Sequence, residues 1–95
     1  MRRRASNIVY HELLGLYVKI ISSTDPSVEG LEGVVVGETM KTLRILAASD
    51  NKTRTVFKVG NVFKFRIPES GEEVVVMGDQ ILGRPGERAR RLVKR

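Results

Sequence analysis

The chain has 95 residues, no cysteine, one histidine and a net charge of +6. That length suits a single domain with one modest core. The composition excludes disulfides, thiolate zinc sites and histidine-cluster metal sites, and no apolar run approaches the ~20 residues of a membrane span.

The charge is unevenly placed. Residues 1–11 carry +3 from Arg2, Arg3 and Arg4, residues 84–95 carry +5, and residues 12–83 carry −2. A near-neutral body with two basic ends is the footprint of a chain that meets a polyanion. Solvated tails are the plainer alternative, and the density of the C-terminal run weighs against it. The opening MRRRASN leads into IVYHELLG, which is too short and too polar for a secretory core. The expectation is a soluble, cytoplasmic protein.

In chain order, Ser6 or Asn7 caps a short predicted helix through Leu14, and Gly15 ends it. Leu16 to Ile21 reads as a strand with Leu16, Val18 and Ile20 on one face. SSTDPS is a loop with turn chemistry at Asp25-Pro26. Gly30 to Ile45 is a bent hairpin: Gly33 and Gly37 flank a valine run, and the reversal falls at Thr39 to Lys41. Thr53 to Val59 alternates, with Thr53, Thr55 and Phe57 expected opposite Arg54, Val56 and Lys58. After Gly60-Asn61 a further strand sets Phe63, Phe65 and Ile67 against Lys64 and Arg66. PESGE turns the chain, Val74 to Met77 is the next strand, and Gly78-Asp79 turns again. Gln80 to Leu82 adds a last short strand. A basic helix is expected from Glu87 to Lys94.

These elements predict an all-β barrel or sandwich of six or seven short strands with a short helix at each end. As a single domain, it divides into an N-terminal arm and helix (1–15), a barrel (16–82) and a basic tail (83–95). Lys19, Arg44, Arg54, Lys58, Lys64 and Arg66 are read as a phosphate-binding stripe on the outer face. An ordinary solvated exterior fits the same residues equally. Phe57, Phe63 and Phe65 fall on the opposite face and are read as core, which leaves little for recognition by base stacking. No nucleotide-binding glycine pattern is present. His11, Ser22 and Asp25 lack the spacing of a triad, and Glu72-Glu73 point to opposite faces of a strand. No catalytic constellation, metal site or cofactor is expected.

Taken together, HELLGLYVKIISSTDPSVEGLEGVVVGETMKTLRI, then KFRIP, then VVVMGDQILGRPGER and a basic tail resemble the archaeal ribonuclease P protein component 1 family. Its members are small Sm-like subunits of ribonuclease P. The resemblance implies a twisted antiparallel, Sm-like barrel that supports a catalytic RNA in removing the 5′ leader of precursor tRNA. It implies a zinc-ribbon protein subunit as partner, with any zinc in that partner. On this view Lys19, Lys41, Arg44, Arg54, Lys58, Lys64, Arg66, Arg84, Arg88, Arg90 and Arg91 meet RNA. Leu13, Leu14, Arg84, Arg88 and Leu92 meet the protein partner. Gly15, Gly33, Gly37, Glu38, Thr39 and Gly78 are structural. The alternatives are a ribosomal or other Sm-like RNA-binding barrel, a ring-forming interaction module and, more distantly, a self-acting nuclease.

Overall fold

Residue 33 must be glycine because two strands crowd its backbone. A Cβ placed there would lie 1.9 Å from the Leu46 carbonyl oxygen. Gly33 sits opposite Val18 on one side and Ala47 on the other, so the strand that carries it is the middle of the structure. In the computed structural model, which describes residues 8–10, 12–84 and 86–88, six antiparallel strands form one sheet. They are β1 (Tyr17–Ser23), β2 (Glu32–Glu38), β3 (Thr42–Ala47), β4 (Thr53–Phe57), β5 (Asn61–Arg66) and β6 (Glu73–Met77), in the order β4-β3-β2-β1-β5-β6.

Two irregularities curl the sheet. The register of β2 against β3 shifts between Val35 and Gly37, and that of β1 against β5 shifts between Ile20 and Ser22. Bulges of this kind bend a strand and increase its twist. Gly37 also makes room for an arginine stem: a Cβ there would meet Arg44 Cδ at 3.2 Å. The two ends of the sheet meet where Gly78, just after β6, abuts the backbone of Lys58, just after β4. A Cβ on Gly78 would overlap the Lys58 carbonyl oxygen. The twisted antiparallel barrel expected from the sequence is therefore present, and its glycines act where backbones touch.

The core lies inside the curl. Leu16, Val18 and Ile20 are buried, as are Val35, Leu43, Ile45, Val56, Phe63, Phe65, Ile67 and Val76. Phe63 and Phe65 have ring centroids 5.9 Å apart. Ile8, Leu13 and Ile81 close the open end. Burial of each such side chain contributes about 1.5–3 kcal/mol.

Three expectations are corrected. Gln80 to Leu82 is not a seventh strand: Gly78–Ile81 is a 3-10 turn, in which Gln80 Oε1 accepts a hydrogen bond from the Met77 amide at 2.9 Å. The N-terminal helix is only a 3-10 turn, Ile8–Tyr10, and Gly15 (φ +85°) turns the chain into β1. β4 faces the other way from its predicted orientation. Val56 pairs with buried Leu43 and points inward, whereas Phe57 pairs with Thr42 on the outer face and is 69% exposed. Residues 86–88 are helical. The rest of the expected C-terminal helix, with Arg90, Arg91 and Leu92, lies outside the described residues, as do Arg2 to Arg4 and His11.

Replacing Gly33 by alanine is expected to destabilise the fold by about 1–3 kcal/mol, because the added methyl overpacks a fixed backbone crossing. Denaturant unfolding reads this directly, and a wild-type midpoint would contradict the crossing.

Candidate nucleic-acid interface

The predicted basic stripe separates into two chemically different sets. One is buried. Lys58 and Arg88 are both fully buried, against a Glu38 side chain that is only 3% exposed. Lys58 Nζ donates to Glu38 Oε2 at 2.7 Å and to the carbonyls of Thr39 (2.8 Å), Gly83 (3.0 Å) and Met40 (3.2 Å). Arg88 pairs its Nη1 with Glu38 Oε2 and donates to Gly83 O at 2.7 Å, Ile81 O at 3.2 Å and, through Nε, Val9 O at 2.8 Å. Glu38 stands at the end of β2, Lys58 just after β4, and Arg88 in the C-terminal turn. The hairpin supports the same knot: Thr39 Oγ1 accepts from the Thr42 amide at 3.0 Å, and the Gly83 amide donates to Met40 O at 2.9 Å.

Lys58 and Arg88 are thus fasteners rather than the surface contacts expected from the sequence. The reversal of β4 carries Lys58 inward beside Val56, where the Glu38 carboxylate and a ring of carbonyls solvate its ammonium group. Leu13 is likewise withdrawn from any partner surface, since it is fully buried in the core. Arg54 also leaves the outer stripe. It pairs with buried Ile45, away from the outer face of the stripe, and is itself exposed. It holds Asp50 through two hydrogen bonds of 2.6 and 3.2 Å. The Arg54 guanidinium lowers the Asp50 carboxyl below the usual carboxylate range, and Asp50 in turn raises Arg54. Because the folded-state value is depressed, that contribution is complete above a pH of about 4. It is lost as pH falls through the lower folded value.

The second set lies outside. Lys19 on β1 stands directly opposite Lys64 on β5, and Arg66 stands opposite Tyr17. The Arg66 guanidinium carbon lies 5.1 Å from the Tyr17 ring centroid. Partial burial and then the Glu32 carboxylate raise the Tyr17 phenol above its ordinary value, against the opposing charge of Arg66. Glu73 is 3.7 Å from Lys64 and 3.9 Å from Arg66. Exposed pairs this long contribute little, so a phosphate could replace the carboxylate at small cost. Arg44 on β3, Lys41 in the hairpin and Arg84 are exposed as well, and Leu14 is 46% exposed. Among the described residues no group of three or more His, Cys, Asp or Glu side chains could hold a metal ion. No described helix is long and apolar enough to cross a membrane.

Sequence reasoning missed the knot and the exposed phenyl ring of Phe57. Only one signal pointed to them: Lys58 shares strand parity with Val56. Glu38→Ala is expected to cost about 3–5 kcal/mol, because it leaves two buried cations without their carboxylate. A thermal or denaturant shift of less than 1 kcal/mol would contradict the geometry.

Comparison with known proteins agrees with this architecture. Residues 6–91 match the family described as Ribonuclease P/MRP, subunit p29. The chain is 47% identical over 94 residues to the ribonuclease P protein component 1 of Staphylothermus marinus, covering 99% of this chain and 100% of that one. It is 48% identical over 88 residues to the protein of the same name from Desulfurococcus amylolyticus, covering 93% and 94%. A solved structure described as Mth11, a homologue of human RNase P protein Rpp29, superposes with a TM-score of 0.58 at 44% identity, over 82% of this chain and 97% of that one. The curled six-stranded sheet and the near-full-length match lead to one conclusion: this chain belongs to the ribonuclease P/MRP subunit p29 family, as a ribonuclease P protein component.

Proposed function

We propose that the chain is a non-catalytic, RNA-binding subunit of ribonuclease P, which braces the catalytic RNA while the 5′ leader of precursor tRNA is removed. The observation that carries this reading is the outer face of β1 and β5, where Lys19, Lys64 and Arg66 cluster on adjacent strands. Cations fixed on a sheet can meet successive phosphates of a folded RNA, which is recognised largely by backbone and shape. Arg44 and Lys41 extend the positive surface toward the hairpin.

The protein partner in this reading is a zinc-ribbon subunit, and the setting is cytoplasmic. Leu14 and Arg84, both exposed, are the described residues available to that partner. The buried knot serves the assembly indirectly, by holding the two terminal segments in place against the barrel.

Replacing Lys19, Lys64 and Arg66 together with alanine is expected to weaken binding to ribonuclease P RNA and leave the melting temperature nearly unchanged. The plot of log affinity against log salt should become shallower by about 2–3 units, one for each lost phosphate contact. Reconstituted leader cleavage should then require more protein. Unchanged affinity and slope would overturn the reading.

A further inference from the structure

Phe57 is a large aromatic side chain that the fold does not use. Its backbone is held firmly all the same: Asn61 Nδ2 donates to the Phe57 carbonyl at 2.5 Å. The ring stands at one wall of a cleft of about 160 Å³ between β4 and the loop that follows β1. The opposite wall is fixed too. Thr24 donates its amide to Gly60 O at 2.9 Å and lies over Gly60, where a Cβ would come within 2.7 Å of Thr24 Oγ1. Asp25 closes the loop by accepting from the Ser27 amide at 3.0 Å and the Ser27 hydroxyl at 2.8 Å.

Asn61 lines this cleft, is only 7% exposed, and its Oδ1 accepts no hydrogen bond among the described residues. A buried amide oxygen of this kind favours a ligand that donates. Asp25, which Ser27 holds ionised below the usual carboxylate range, adds a second acceptor on the far wall. The cleft is far smaller than the ~300–1,000 Å³ of a pocket for a whole small molecule, so it suits one flat group. On the outer sheet face, Phe57 stands opposite Thr42 and Arg44 stands opposite Thr55. Arg44 is therefore a diagonal neighbour of Phe57 in the register, although its stem packs toward Gly37 on the other side of β3. An exposed phenyl beside an acceptor-lined cleft suits a single unpaired nucleotide, whose base stacks on the ring.

We infer that Phe57 and the cleft beside it capture one unpaired RNA base, with Asn61 Oδ1 and Asp25 favouring a base edge that carries an amino group. This deepens the proposed RNA-binding function and rests on it. The cleft would act as a stacking contact distinct from the phosphate contacts of β1 and β5.

The test measures binding of fluorescent oligocytidylate and oligouridylate, and of ribonuclease P RNA, to the intact chain. Phe57→Ala should lower oligocytidylate affinity about tenfold and leave the salt slope unchanged, since no charge is lost. Phe57→Tyr should retain binding. The side chain is exposed, so both variants should melt as the wild type does. Oligocytidylate should bind more tightly than oligouridylate, and equal affinity would overturn the acceptor assignment. If Phe57→Ala binds all three RNAs like the wild type while the Lys19, Lys64 and Arg66 variant is weakened, the stacking site is wrong and the proposed function stands. If neither variant loses affinity, both fail. If Phe57→Ala weakens only self-association or binding of a zinc-ribbon protein, the ring is a protein contact and the inference is overturned.

Discussion

One buried carboxylate holds this structure together. Glu38 accepts from Lys58 and pairs with Arg88, inside a shell of carbonyls from Val9, Thr39, Met40, Ile81 and Gly83. Those groups come from both terminal segments, the β2–β3 hairpin and the end of β4. Taking three charges out of water is costly, and a well-packed apolar cluster of the same size could be as stable. What the ions provide is direction. An apolar plug tolerates several packings, whereas a lysine, an arginine and a shared carboxylate must meet with their hydrogen bonds aligned. The knot therefore specifies where the segments at Val9 and Arg88 lie against the barrel.

The same economy of charge explains the surface. A chain this basic cannot present all its cations to one partner. Among the described residues, Lys58 and Arg88 are consumed internally and Arg54 is paired with Asp50. Lys19, Lys41, Arg44, Lys64, Arg66 and Arg84 lie on the exterior, where meeting a polyanion need not disturb the fold.

Much of the fold was legible because period-two alternation is strong in β1 and β5. Leu16, Val18, Ile20, Phe63 and Phe65 are where the pattern puts them. Gly33 and Gly37 marked the bend because a glycine at either end of a valine run in a strand has few other uses. β4 was harder to read. In Thr53-Arg54-Thr55-Val56-Phe57-Lys58 the two parities each contain one strongly apolar residue, and hydrophobicity alone ranks phenylalanine inward. The deciding fact is tertiary: Lys58 reaches Glu38, twenty residues away, and Val56 reaches Leu43 across the strand pair. The last predicted strand failed for a similar reason. Gly78 must pass against the Lys58 backbone, and that close approach turns the chain into a 3-10 segment. Membership of the family was legible from motifs spread across the chain, whereas the division of cations between knot and surface was not. Sequence spacing carries no information on which lysine finds a buried carboxylate.

Glu38 and Arg88 act as one unit across the barrel. A double-mutant cycle with Glu38→Gln and Arg88→Met, read by equilibrium unfolding, measures that coupling directly. The structure predicts an interaction energy toward the upper part of the roughly 0.5–3 kcal/mol range for residues in one network. Effects that add within about 0.5 kcal/mol would mean that the two side chains do not share a site, and the packing of Arg88 against Glu38 would be wrong.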